Sequence, residues 1–83
     1  MTASEIRAVI LDVMGKILPD EDLSKLKGDV RIRDQVEMDS MDYLDMIMEL
    51  RRRYGIRVPE EDYLKLATLD GCVAYLEPRM AHL

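Results

Sequence analysis

An acid followed by a serine, Asp39-Ser40, stands directly before an apolar helical stretch, and its chemistry opens the reading of this chain. Asp39 has the type and position of a helix N-cap, which puts the Ser40 hydroxyl in the first turn. A long loop leads into it, so the hydroxyl is expected to be exposed. A phosphodiester on that oxygen would meet unsatisfied backbone N–H groups and the positive end of the helix dipole. The same dipeptide also serves as a plain cap, and its position alone does not separate the two uses.

Other reactive residue types lead to no catalytic constellation. His82 is the only histidine and lies beside the C-terminus, as a solvated tail residue would. Cys72 shares a helical face with Leu69, Val73 and Leu76, which suits a buried, inert thiol. The chain contains no G-x-x-x-x-G-K, C-x-x-C or H-E-x-x-H. The acid pairs Asp20/Asp22 and Glu60/Glu61 read as caps and solvated faces, and no run has the ligand spacing of a calcium loop. The chain is therefore not expected to be an enzyme.

The elements that must position Ser40 are helices. Ile6, Val9, Ile10, Val13 and Ile17 recur at three- and four-residue steps, predicting a helix over 2–18 that opens on a Thr2/Glu5 capping box and stops at Pro19. Residues 19–38 show no sustained period; Leu23, Leu26, Val30 and Ile32 anchor a long loop with a turn at Gly28-Asp29. A second helix runs 39–54, closed by Gly55 with Arg51-Arg52-Arg53 at its negative end. A short helix over 60–66 follows Pro59, and a last one, capped by Thr68, ends before Pro78. No strand pattern of useful length occurs. The expectation is an all-α domain, 1–83, of three main helices and one short one, with its core at about 2–77 and a C-terminal tail at 78–83.

The 39–54 helix carries two apolar stripes where one would do. Tyr43, Met46, Ile47, Leu50 and Tyr54 make a core face. Met41, Leu44 and Met48 form a second line beside Asp42, Asp45 and Glu49, as a docking surface would. Met38, Met41, Met46 and Met48 crowd this region, and flexible thioethers suit a surface that meets several partners. They would equally pack a core that has no Phe.

Composition narrows the classes. The chain has 83 residues, 48% of them hydrophobic and 35% charged, which describes a small globular domain. Its net charge of −5 argues against nucleic acid as a partner. No run is long and apolar enough for a membrane span or a signal peptide. A single cysteine fits a reducing cytoplasm, and a monomer is expected.

Three ordered blocks then point to a family. Asp39-Ser40-Met41-Asp42-Tyr43-Leu44 resembles the Asp-Ser-Leu-Asp attachment motif and second helix of acyl carrier proteins. Tyr54-Gly55-Ile56-Arg57-Val58-Pro59-Glu60 is similar to their aromatic–Gly–Ile–x–Ile–Pro–acidic segment, and Thr68-Leu69 through Tyr75-Leu76 to their last helix. The likeness spans about residues 5–77 and is strongest over 39–76. It implies a four-helix bundle in which Ser40 carries 4′-phosphopantetheine, placed there by a phosphopantetheinyl transferase, with acyl groups then held as thioesters. It implies that Asp39, Met41, Asp42, Leu44, Asp45, Met48, Glu49 and Arg52 face partners, which load and process acyl groups. It maps an internal acyl cavity onto Leu50, Val58, Tyr63, Leu66, Cys72 and Tyr75.

The departures are specific. Arg51-Arg52-Arg53 and Arg57 stand where the common fatty-acid carriers are acidic, which suggests a specialised carrier with its own enzymes. Tyr63 replaces a small residue; if it fills the cavity, the cargo is short or stays outside. Glu37-Met38-Asp39 lacks the family's frequent glycine, and the Gly-Gly pattern of many peptidyl carriers is missing, which favours acyl over aminoacyl cargo. The alternative to a carrier is an unmodified helical adaptor that uses the Met/acid face of the second helix alone.

Overall fold

A computed structural model describes all 83 residues. Helix α1 spans Ala3–Ile17, α2 spans Ser40–Tyr54 and α3 spans Leu69–Leu76, and a short 3-10 helix at Glu60–Leu66 precedes α3. The chain is all-helical, with α1 packed against both other helices and the 60–66 segment packed on α3.

Each helix begins where its chemistry says it should. Thr2 Oγ1 accepts from the Glu5 amide while Glu5 returns a bond to the Thr2 amide, completing the capping box. Asp39 and Asp42 make the same reciprocal pair at α2. Thr68 Oγ1 accepts from the Gly71 amide at α3. Gly55 ends α2 at φ +70°, a left-handed position that costs a side-chain-bearing residue about 1 kcal/mol.

One cluster of 20 buried apolar side chains fills the interior. Ile6, Ile10, Val13 and Met14 come from α1; Met46, Ile47 and Leu50 from α2; Leu69, Cys72, Tyr75 and Leu76 from α3. The buried set runs past the expected limit at residue 77, because Met80 is fully enclosed. The segment after Pro78 is thus docked at that residue, and Arg79 helps hold it there: its guanidinium lies 3.7 Å from the Tyr75 ring centroid and donates to the Tyr75 carbonyl.

The long loop is the part that periodicity left blank. Two short 3-10 turns, Leu23–Lys25 and Ile32–Asp34, give it shape. Gln35 staples it: its amide nitrogen donates to the carbonyls of Lys27 and Val30, and its oxygen accepts from the Lys27 amide. The Ile32 amide donates to the Ala67 carbonyl at 2.9 Å and the Asp70 amide to the Gly28 carbonyl at 3.0 Å. The loop is therefore pinned to the start of α3, with Ile32 fully buried beneath it.

Close approach at that junction makes Gly71 selective. A Cβ there would stand 2.5 Å from the Lys65 carbonyl oxygen and 2.9 Å from Thr68 Oγ1. Backbone cannot swing aside as a side chain can, so Gly71→Ala is expected to destabilise by about 1–3 kcal/mol, despite the better helix propensity of alanine. Urea unfolding measures this. An unchanged midpoint would mean that the 60–66 helix shifts freely.

Candidate functional site

Ser40 is the first residue of α2 and is exposed. Two features of that end are set by Asp39. Its carboxylate caps the Asp42 amide at 2.9 Å, and its carbonyl accepts from the Tyr43 amide at 3.1 Å. This leaves the amides of Ser40 and Met41 without a protein acceptor, and the Ser40 hydroxyl takes no partner within the chain. A free hydroxyl beside two open amides at the positive end of a fifteen-residue helix suits a phosphodiester.

From Ser40 a groove of about 540 Å³ runs between α2 and the 60–66 helix. Ser40, Tyr43, Leu44 and Ile47 line one side, and Glu60, Tyr63, Leu64 and Ala67 the other, with Arg33 of the long loop completing it. The Tyr43 hydroxyl donates to the Ala67 carbonyl at 3.5 Å, so the groove's two walls are joined below it. Burial pushes the Tyr43 phenol above its ordinary value.

Five of the six positions mapped to an internal cavity lie within the buried core. Leu50, Leu66 and Cys72 are fully buried, and Val58 and Tyr75 nearly so, all within the core cluster. Only Tyr63 reaches the groove, half-buried on its wall and not plugging the interior. Equivalent positions along a chain do not say how far their neighbours have closed in. That closure depends on side-chain volumes contributed by α1 and α3.

Cys72 shows the closure chemically. Its thiol donates to the Leu66 carbonyl, and burial pushes its pKa up to about 12. The thiolate is the reactive form, so a disulfide reagent at about pH 8 is expected to leave the folded protein untouched and to label it fully in denaturant. Fast labelling of the folded chain would show that α3 opens locally.

The α2 surface separates the methionines that the sequence grouped together. Met38 and Met46 are buried, whereas Met41 is 73% exposed, Met48 66% and Leu44 41%. The second stripe is thus open, with Asp45 exposed beside it and Asp42 half-buried in the capping box.

Glu49 behaves differently from its place in that strip. The Arg52 guanidinium, and then that of Arg53, hold its carboxyl below the usual range. Arg53 also reaches Asp12 of α1 at 2.9 Å, clamping the two helices together. Part of the arginine run is therefore internal structure, and Glu49 presents little free charge. Spacing alone could have suggested Glu49 with Arg53 as an i,i+4 pair. Nothing local signalled Asp12.

Comparison with known proteins agrees with this geometry. The family described as a phosphopantetheine attachment site matches residues 4–76. An acyl carrier protein of Brachyspira hyodysenteriae is 35% identical over 68 residues, covering 82% of this chain and 87% of that one. Those of Exiguobacterium sp. and Chlorobium luteolum are 28% and 30% identical, each over 92% of this chain and 90% and 96% of their own. The chain belongs to the acyl carrier protein family of phosphopantetheine-bearing domains. Its prosthetic group is a covalently attached 4′-phosphopantetheine, and its role is that of a carrier in acyl biosynthesis. No helix is long and apolar enough to cross a membrane.

Proposed function

We propose that Ser40 Oγ is the attachment point of the arm and that the chain, itself no catalyst, presents acyl groups to enzymes that dock on α2. The free hydroxyl at the open N-terminus of α2, beside an apolar groove, is the observation that carries this reading. In loading, Ser40 Oγ forms the new bond to phosphorus, the pyrophosphate bond of coenzyme A breaks, and adenosine 3′,5′-bisphosphate leaves. The hydroxyl proton goes to the transferase or to solvent. Once attached, the arm supplies a thiol that holds acyl groups as thioesters. The Ser40 and Met41 amides receive the phosphodiester oxygens, and Met41, Leu44 and Met48 give partner enzymes an apolar footing with Asp39, Asp42 and Asp45 beside it.

Arg52, turned toward Glu49, and the unpaired Arg51 and Arg57 give the far end of α2 a positive character. That supports a specialised carrier for fatty-acid, polyketide or related synthesis, served by its own loading and processing enzymes. Its lone thiol, buried and unpaired, suits a reducing cytosol. The adaptor alternative needs no arm and does not fit a chain that the phosphopantetheine attachment family matches over residues 4–76.

The test is intact mass after incubation with coenzyme A, Mg²⁺ and a broad-range phosphopantetheinyl transferase. One added arm supports the carrier. A folded protein that takes none from several transferases counts against Ser40 as the attachment point.

A further inference from the structure

The N-terminal end of α2, the loop before it and the start of the 60–66 helix place one cation among several acids around Ser40. Asp39 and Asp42 form the capping box, Glu37 lies just before it, and Glu60 lines the groove. A phosphodiester anion on Ser40 would add to this negative charge. Two open amides and a helix dipole offset part of it. The remaining countercharge has one candidate on these walls. Arg33 lines the groove with Ser40, and it also lines the neighbouring notch formed by Val36, Glu37, Met38, Asp39 and Asp42.

Arg33 has the properties such a role needs. Its side chain is exposed and makes no ion pair or hydrogen bond within the chain, whereas Arg31, Arg52 and Arg53 are all paired. Its backbone is held in place: the adjoining Ile32 is fully buried and donates its amide to Ala67, which itself lines the groove. A cation on a fixed backbone segment beside Ser40, with its guanidinium unspent, is built to receive a phosphate oxygen pair.

We propose that Arg33 is a positioning residue for the arm: its guanidinium binds the phosphodiester on Ser40 and directs the arm into the groove between α2 and the 60–66 helix. This rests on Ser40 being the attachment point. Arg33 borders both the acidic notch and the groove, and only in the groove does it meet Ser40 without Asp39 and Asp42 between the same walls, so its guanidinium draws the phosphate, and with it the arm, to the groove side. The bound arm then lies against Tyr63, Leu64 and Ala67.

The experiment compares the parent protein, Arg33→Gln and Arg33→Lys, each loaded by the transferase and checked by intact mass. Phosphorus NMR reads the phosphodiester, and amide shifts report on the groove. The parent is expected to show attachment-dependent shifts at Tyr63, Leu64 and Ala67. In Arg33→Gln these shrink several-fold and the phosphorus signal moves, while Arg33→Lys keeps most of both. The apo spectra should overlay, since Arg33 makes no intrachain bond. Full loading with Gln spectra identical to the parent's overturns the role of Arg33 and leaves Ser40 standing. Failure of the parent to take an arm overturns both.

Discussion

Ser40→Ala is expected to abolish arm attachment completely while leaving the fold almost unchanged. The serine oxygen makes no hydrogen bond within the chain, and the cap of α2 comes from Asp39. Removing the hydroxyl therefore costs no native contact, and alanine is the better helix former. The stability change should stay within about 0.5 kcal/mol, as for a surface substitution away from special features. Few other hydroxyls compete for the arm. Ser24 Oγ is bonded to Asp22 at 2.6 Å, and Ser4 lies in α1, behind the Thr2 cap. Intact mass of parent and variant after the transferase reaction, beside their thermal melts, checks both halves. An arm still added to the folded variant would move the attachment point away from Ser40.

Leu50→Ala should have the largest effect on stability. Leu50 is a fully buried member of the core cluster, and truncating such a leucine costs about 2–5 kcal/mol in lost burial and residual cavity. A domain of this size has on the order of 4–12 kcal/mol in total. A loss of 3 kcal/mol lowers the melting midpoint by roughly 12–24 °C. Circular dichroism on heating measures it. A shift below about 5 °C would show that the core around Leu50 has slack. That outcome would return the internal positions Leu50, Leu66 and Cys72 to consideration as cargo space, in place of the groove.

The two variants separate what makes the protein fold from what makes it a carrier. Leu50 contributes through surface removed from water, and Ser40 through a group left in water. Neither role substitutes for the other.

Several features were legible along the chain because they depend on neighbours a few residues apart. Helix periodicity placed α1, α2 and α3 to within a residue or two, and the caps Thr2, Asp39, Thr68 and Gly55 were readable because capping is a short-range bond. The second stripe of α2 followed from three- and four-residue spacing, and Met41, Leu44 and Met48 are indeed exposed. Ser40 stood out through a motif whose parts lie side by side.

Other features could be decided only when distant segments met. Gln35 and Ile32 shape the long loop through bonds to Lys27, Val30 and Ala67, and an aperiodic stretch carries no local sign of such partners. The sequence offered Glu49 as a free docking charge, but Arg53 binds it while reaching across to Asp12, 41 residues away. Met46 and Met48 are two residues apart, yet one is core and the other surface, because the core that α1 packs against covers only one side of α2. Open space obeys the same rule. Five of the six mapped cavity positions are buried among residues from several elements, and the groove beside Ser40 is bounded by Arg33, α2 and the 60–66 helix together. Local chemistry thus determined the helices and the place of Ser40 at the start of α2. Packing between helices decided where a groove opens beside Ser40 and which charges are left without a partner.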